Sequence, residues 1–217
     1  MPELIFYPTF PIYFLYHSES DLAAYQNVQI GNTCTFHAIT SALRLLIGFH
    51  LDPQELSDEI DHLWRHFKPM RIYPGWAVTP RHQKKIIDYL KEKYSLPIRA
   101  EFTHASPNTL FDNLILPSTA SIITLLWGYN RAPAIYYGTS DHNYNTGRSP
   151  AGHAMLLAAF DPTHTLSNGT PAPWGLINSW VDNGTHLFWM QDDEFRRSWN
   201  FFLPLVGPNP LVTLSII

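Results

Sequence analysis

Residues 29–46, QIGNTCTFHAITSALRLL, run from a polar turn into an apolar, helix-forming segment, and the only cysteine of the chain stands at the junction. After Cys34, the residues Phe36, Ile39, Leu43 and Leu46 recur at helical spacing, and Gly48 supplies a stop. A helix that begins at Asn32 or Thr33 places Cys34 in its first turn. There, unpaired backbone N–H groups and the positive end of the helix dipole face the sulfur and favour thiolate over thiol. Gln29 lies outside that helix, and its carboxamide can turn back toward the same point. Together with the Cys34 N–H it makes a two-donor hole for an oxyanion. An unpaired cysteine is otherwise a small buried hydrophobe, so the rest of the chain decides between the two readings.

On the C-terminal side two more helices share one grammar. In 52–67, Asp52 caps, Pro53 suits the first helical position, Glu55 completes a capping-box pattern, and Leu56, Ile60, Leu63, Trp64 and Phe67 form the inward stripe. In 79–94, Thr79 caps, Pro80 follows, and Ile86, Ile87, Leu90 and Tyr94 are the expected buried positions. From about Leu96 the period shifts toward two. Strands are expected at 98–103, 121–127, 153–160, 175–180, 185–190 and 211–216, with short helices at 106–114 and 191–199. Residues 128–152 form a Gly-, Asn-, Ser- and Tyr-rich stretch too long for a simple hairpin loop, and loops of that length tend to be functional.

Composition narrows the function. The 217 residues suffice for one substantial core, and 45% hydrophobic against 15% charged residues marks a globular chain. A net charge of −4 without a basic block gives no footprint for nucleic acid or an anionic membrane. A single cysteine excludes an intrachain disulfide, so nothing requires an oxidising compartment and a cytoplasmic location is expected. The apolar N-terminus, MPELIFYPTFPIYFLY, carries Glu3 and three prolines and lacks a basic leader; it reads as an extended edge segment or clasp rather than a signal peptide. No apolar run approaches the roughly 20 residues that span a bilayer. No nucleotide motif and no internal repeat is present, and neither a cofactor nor a metal is expected.

Two further blocks bear on Cys34. AGHAMLLAAFD sets His153 at the start of an apolar strand just after the long loop, and WGLINSW brings Asn178 and Trp180 on a following strand. Side by side in a hairpin, these strands bring the Asn178 amide oxygen to the His153 ring, where it fixes tautomer and orientation. Gln29 and Cys34 at a helix start, a Gly152-His153-Ala154 and an Asn178-Ser179-Trp180, in that order, resemble the papain-like cysteine peptidases, including their C39-like branch. FWMQDDEFRRSW is similar to the aromatic-strand-then-helix ending of C39-like domains. The block around the nucleophile departs from the family's usual Cys-Gly-Ser-Cys-Trp, reading Gly31-Asn32-Thr33-Cys34-Thr35, and Gln29 is one position nearer to Cys34 than in papain. Many C39-like members use Asp as third residue; Asp161 is the alternative, but it falls beyond the end of its own strand and Asn178 is preferred.

The resemblance implies an α+β, papain-like cysteine proteinase fold over residues 1–217, with a helical lobe (about 1–95), an antiparallel β-rich lobe (about 96–217) and the active site between them. It implies Cys34, His153, Asn178 and Gln29 as catalytic residues, Gly152 and Trp180 at the substrate, with Trp180 shielding the His–Asn bond, and a peptide or protein substrate. The implied reaction is cleavage of peptide or amide bonds through a thioester. The alternatives are a Cys–His acyltransferase of the transglutaminase kind and an inactive binding module of the same fold. Among other residues, His37 on the Cys34 helix is read as structural, and His62 and His66 as surface residues without a third metal ligand. His142, Tyr144 and Arg148 belong to the long loop, where they are substrate contacts only if the loop is a lid.

Overall fold

The computed structural model describes all residues except 1–4, 15–16, 65–70, 72–76, 182–183 and 205. The Cys34 helix, α2 (Cys34–Ile47), is the central element. Its apolar residues are not confined to one stripe. Positions 35–43 and Leu45 are all buried, because sheet strands cover one side and two other helices the other. It ends at Gly48, whose φ of 64° is the left-handed conformation that a glycine takes without a Cβ clash, and whose N–H returns to the carbonyls of Arg44 and Leu43.

Two shorter helices precede and follow it: α1 (Glu19–Ala23), with a Ser18/Asp21 capping box, and α3 (Pro53–Leu63). Asp52 caps α3 by accepting the Gln54 and Glu55 N–H groups at 2.8 Å each. Leu56 and Ile60 are wholly buried, whereas Leu63 and Trp64 are half-buried and Phe67 lies outside the described residues. In α4 (Pro80–Tyr94), capped by Thr79, the residues Ile86, Ile87 and Leu90 are buried as expected. Tyr94 is a correction: it is 38% exposed and leans on Phe49 at a ring distance of 5.1 Å. It is the last residue of its helix, where the stripe has already passed the edge of the core.

The sheet is antiparallel throughout, in the order β2 (Ile98–His104), β8 (Pro210–Ile216), β3 (Thr119–Trp127), β5 (Ala151–Phe160), β6 (Trp174–Ile177), β7 (Phe188–Met190), β4 (Tyr136–Tyr137). β1 (Ile12–Tyr13) joins the end of β5 at Phe160 and Ala159, so the described part of the N-terminal segment is the clasp its prolines suggested. β3 is buried along its whole length because α2 covers one side and two helices, α5 (Pro107–Ile115) and α6 (Asp192–Trp199), cover the other. An aromatic stack runs beneath α6, with Phe111 on Trp174 at 5.4 Å and Trp174 on Phe195 at 4.2 Å. The Trp174 N–H is not stranded there; it donates to Asp192 at 2.9 Å. Each such fully buried side chain contributes on the order of 1.5–3 kcal/mol, and the core they form is continuous from Ile12 to Leu214.

The long stretch between β3 and β5 is an excursion rather than a hairpin loop. It crosses to the far edge of the sheet, where β4 pairs with β7, and it is pinned by Asn143, whose Oδ1 accepts the N–H groups of Ile135 and Asn145. Among the described residues, no helix is long and apolar enough to cross a membrane.

Candidate active site

The start of α2 is built to leave amides free. Thr33 occupies the N-cap position, but its hydroxyl donates to the Ile30 carbonyl at 3.0 Å instead of accepting from the first turn. The Thr35 N–H therefore remains available, and it points at the Cys34 sulfur. A serine or aspartate cap that accepted those N–H groups would compete with the thiolate for them.

His153 reaches the same sulfur from β5. Register explains how. Leu156 pairs with Ile177 across β5 and β6, so with a side-chain period of two, Asn178 lies diagonally across from His153 on one face of the sheet. His153 is 5% exposed and Asn178 2%. The His153 Nε2 and the Asn178 Oδ1 are 2.6 Å apart. The Ser179 N–H also donates to that oxygen, at 2.7 Å, which identifies the atom as an acceptor and obliges the imidazole to donate from Nε2. The tautomer is thereby fixed, and the Nδ1 lone pair is left for the cysteine.

The electrostatics follow from this geometry. Burial pushes the Cys34 thiol up, but the charge of His153, its hydrogen bond, and the N–H groups of Ala154 and Thr35 outweigh it and hold the thiol below its ordinary value. Burial pushes His153 down, and the Cys34 charge with the bonds to Cys34 and Asn178 raises it above the ordinary imidazole range. Opposite shifts of this kind stabilise a thiolate–imidazolium pair.

The remaining residues singled out in the sequence take definite places. Trp180 stacks on His153, with ring centroids 4.9 Å apart and planes at 24°, and Phe188 meets its ring edge-on at 5.7 Å. Gly152 faces Leu126 across β3 so closely that a Cβ would lie 2.7 Å from the leucine side chain. Gln29 spans the gap between the two halves: its N–H donates to the Ser179 carbonyl at 2.8 Å, its Oε1 accepts from the Ser179 hydroxyl, and its Nε2 donates to the Gly31 carbonyl at 2.9 Å. One amide proton of Gln29 is thus spent on its own turn. Asp161 is engaged elsewhere, accepting from Tyr13 and from Thr163.

His37 is buried, and burial lowers its pKa to about 4, so it is neutral near pH 7. With Asn27 and Ser41, it lines both a cavity of about 10 Å³ beside Cys34, Ala154 and Asn178 and an open pocket of about 480 Å³ that includes Arg44 and His50. His142 packs edge-on against Tyr144 and Tyr144 against Phe188, and neither lines either cavity. His66 lies outside the described residues, and among those described no group of three or more His, Cys, Asp or Glu is arranged to hold a metal.

One polar residue of the site was not visible in the sequence. Gln26, 1% exposed, lies beside Cys34 and Asn178, and its Oε1 accepts the Asn178 N–H at 3.4 Å. No sequence signal singles it out, since its far partners come from the other end of the chain.

The architecture matches solved structures although the sequence does not. No protein-family model matches the chain, and no curated protein matches its sequence. A crystal structure of a candidate C39-like peptidase from Bacillus anthracis superposes over 95% of this chain and 98% of its own, with a TM-score of 0.56 and 12% identity. The structure reported for the mite allergens Blo t 1 and Der p 1 covers 95% of this chain and 66% of its own, with a TM-score of 0.42 and 13% identity. The chain has the α+β, papain-like fold.

Proposed function

We propose that the protein is a cysteine peptidase or amidohydrolase in which Cys34, His153 and Asn178 act as a triad on a peptide or protein substrate. Residues 1–217 act in this reading as one catalytic unit, with the helical part (about 1–95) supplying the nucleophile and the β-rich part (about 96–217) the base. The observation that carries it is the buried chain of contacts from sulfur to imidazole to amide oxygen, with the pKa values of the first two groups moved in opposite directions.

The Cys34 thiolate attacks the carbonyl carbon, and the oxygen gathers charge facing the Cys34 N–H and the second amide proton of Gln29. The C–N bond breaks as the His153 imidazolium gives its Nδ1 proton to the leaving amine, and a thioester remains on Cys34. Nδ1 then takes a proton from water, the hydroxide oxygen displaces the thiolate, and the acid departs with the thiolate–imidazolium ion pair restored. Asn178 keeps the ring aligned through both steps, and Trp180 lies over the imidazole, limiting access of water to the His–Asn bond.

An epoxide inhibitor directed at activated thiols, followed by intact mass, tests the reading. It predicts a single adduct within minutes that is absent in Cys34→Ala and in His153→Ala. Lack of labelling in the folded wild-type protein would favour an inactive scaffold. Capture of the acyl group by an added amine in preference to water would mark a transferase instead.

A further inference from the structure

We infer that Gln26 is a positioning residue for Asn178, and through it for His153, and that position 184 is glycine because the Gln26 carboxamide occupies the space of a side chain there. The inference rests on the triad reading above and assigns it a support that lies outside the triad.

Asn178 stands one residue past β6. Pairing with β5 stops at Ile177 and pairing with β7 stops at Leu176, so the Asn178 N–H has no strand to donate to. Gln26, from the connection between α1 and α2, takes the place of that missing strand by accepting the N–H on Oε1. The orientation of the carboxamide is fixed independently. Its Nε2 donates one proton to the Ala23 carbonyl at 3.2 Å and the other to the His186 carbonyl at 2.8 Å, so the opposite end must be the oxygen. One buried side chain therefore joins the end of α1, the backbone N–H of Asn178 and the approach to β7. Its neighbour Gln29 adds a second tie through Ser179.

Space around the carboxamide is closed. A Cβ on Gly184 would lie 2.2 Å from the Gln26 Nε2 and 3.3 Å from its Cδ, whereas the Gly184 backbone is not in the left-handed region. Alanine is thus permitted there by conformation and opposed chiefly by Gln26. Displacing the carboxamide moves the Asn178 backbone, and the 2.6 Å bond from His153 ends on that residue's side chain.

The test uses the full chain with Gln26→Met, Gln26→Ala, Gly184→Ala and the Gln26→Ala/Gly184→Ala double variant. Three measurements are made on each: melting temperature, pH dependence of Cys34 alkylation by iodoacetamide, and the proton resonance of the His153 Nε2–H. Gln26→Met and Gly184→Ala are each expected to slow alkylation at pH 6 by roughly tenfold, a misplacement effect of less than 1 Å, and to shift or broaden the ring-proton signal. Alkylation above the ordinary thiol range should be unchanged. Gly184→Ala should add little once Gln26 is alanine.

Variants that only melt lower, with wild-type pH profile and ring-proton signal, would overturn the inference, as would additive effects in the double variant. If wild-type Cys34 alkylates with the pH dependence of an ordinary thiol, it is the triad reading that falls. The ring-proton signal still decides the role of Gln26.

Discussion

Replacing Asn178 by alanine tests the coupling between the three central residues most directly. The substitution removes the acceptor of the 2.6 Å bond from His153 and of the 2.7 Å bond from the Ser179 N–H, both in a buried setting. A hydrogen bond to a charged group contributes about 1.5–3 kcal/mol, and in the proposed resting ion pair the His153 ring is the charged partner. The Nε2–H bond persists when the ring is neutral, where it contributes about 0.5–1.5 kcal/mol, so the differential loss of about 1–1.5 kcal/mol lowers the population of the thiolate–imidazolium form relative to the neutral pair by roughly tenfold, at about 1.4 kcal/mol per factor of ten. The direction is set by the shifts. His153 is held above its ordinary value partly by Asn178, so its removal lets the imidazole lose its proton at lower pH; Cys34, held down by the charge of His153, then needs a higher pH to ionise. The pH window of the reactive pair narrows from both sides. Stopped-flow alkylation of Cys34 between pH 5 and 10 reads this directly: the variant should be about tenfold slower near pH 6 and should converge with wild type once any thiol is ionised. A variant that retains its native circular dichroism and an unchanged profile would refute the claim that the amide oxygen stabilises the charged ring.

Two further outcomes follow from the fold. His37 has its pKa lowered to about 4 by burial, so the unfolded chain binds a proton there at a pH where the folded chain does not; stability is lost as pH falls from about 6.5 to about 4, by up to about 3 kcal/mol, and urea titrations of His37→Leu should show a shallower decline across that window. Gly48→Ala forces a Cβ into a φ of 64° at the end of α2 and should cost about 1–2 kcal/mol, read as a lower melting temperature with Cys34 reactivity retained.

The parts of this fold legible in the sequence are those specified by neighbours in the chain. Asp52-Pro53 and Thr79-Pro80 announce α3 and α4 because caps act within three residues, and the β-branched runs announce β3 and β8. His153 and Asn178 were legible because each sits at the border of an apolar strand, where a polar residue is conspicuous. Other features depend on partners far along the chain. The two-residue strands β1 and β4 exist only through β5 and β7, and α1 is too short to show a stripe. Asn178 stands past its strand rather than on it, since β7 ends its pairing at Leu176. Gln26 is a glutamine among loop residues until His186 and Asn178 are brought to it.

The sheet's two outer margins also govern how the molecule meets its neighbours at high concentration. At one end β4 offers only two residues, Tyr136 and Tyr137, to an extended chain docking there. At the other, β2 exposes Arg99, Glu101 and Thr103 on one face and His104 on the opposite face, and a chain adding to it would have to accommodate the Arg99–Glu101 ion pair. Each rim thus disfavours edge-to-edge pairing with a second extended chain, β4 by its shortness and β2 by its exposed charge.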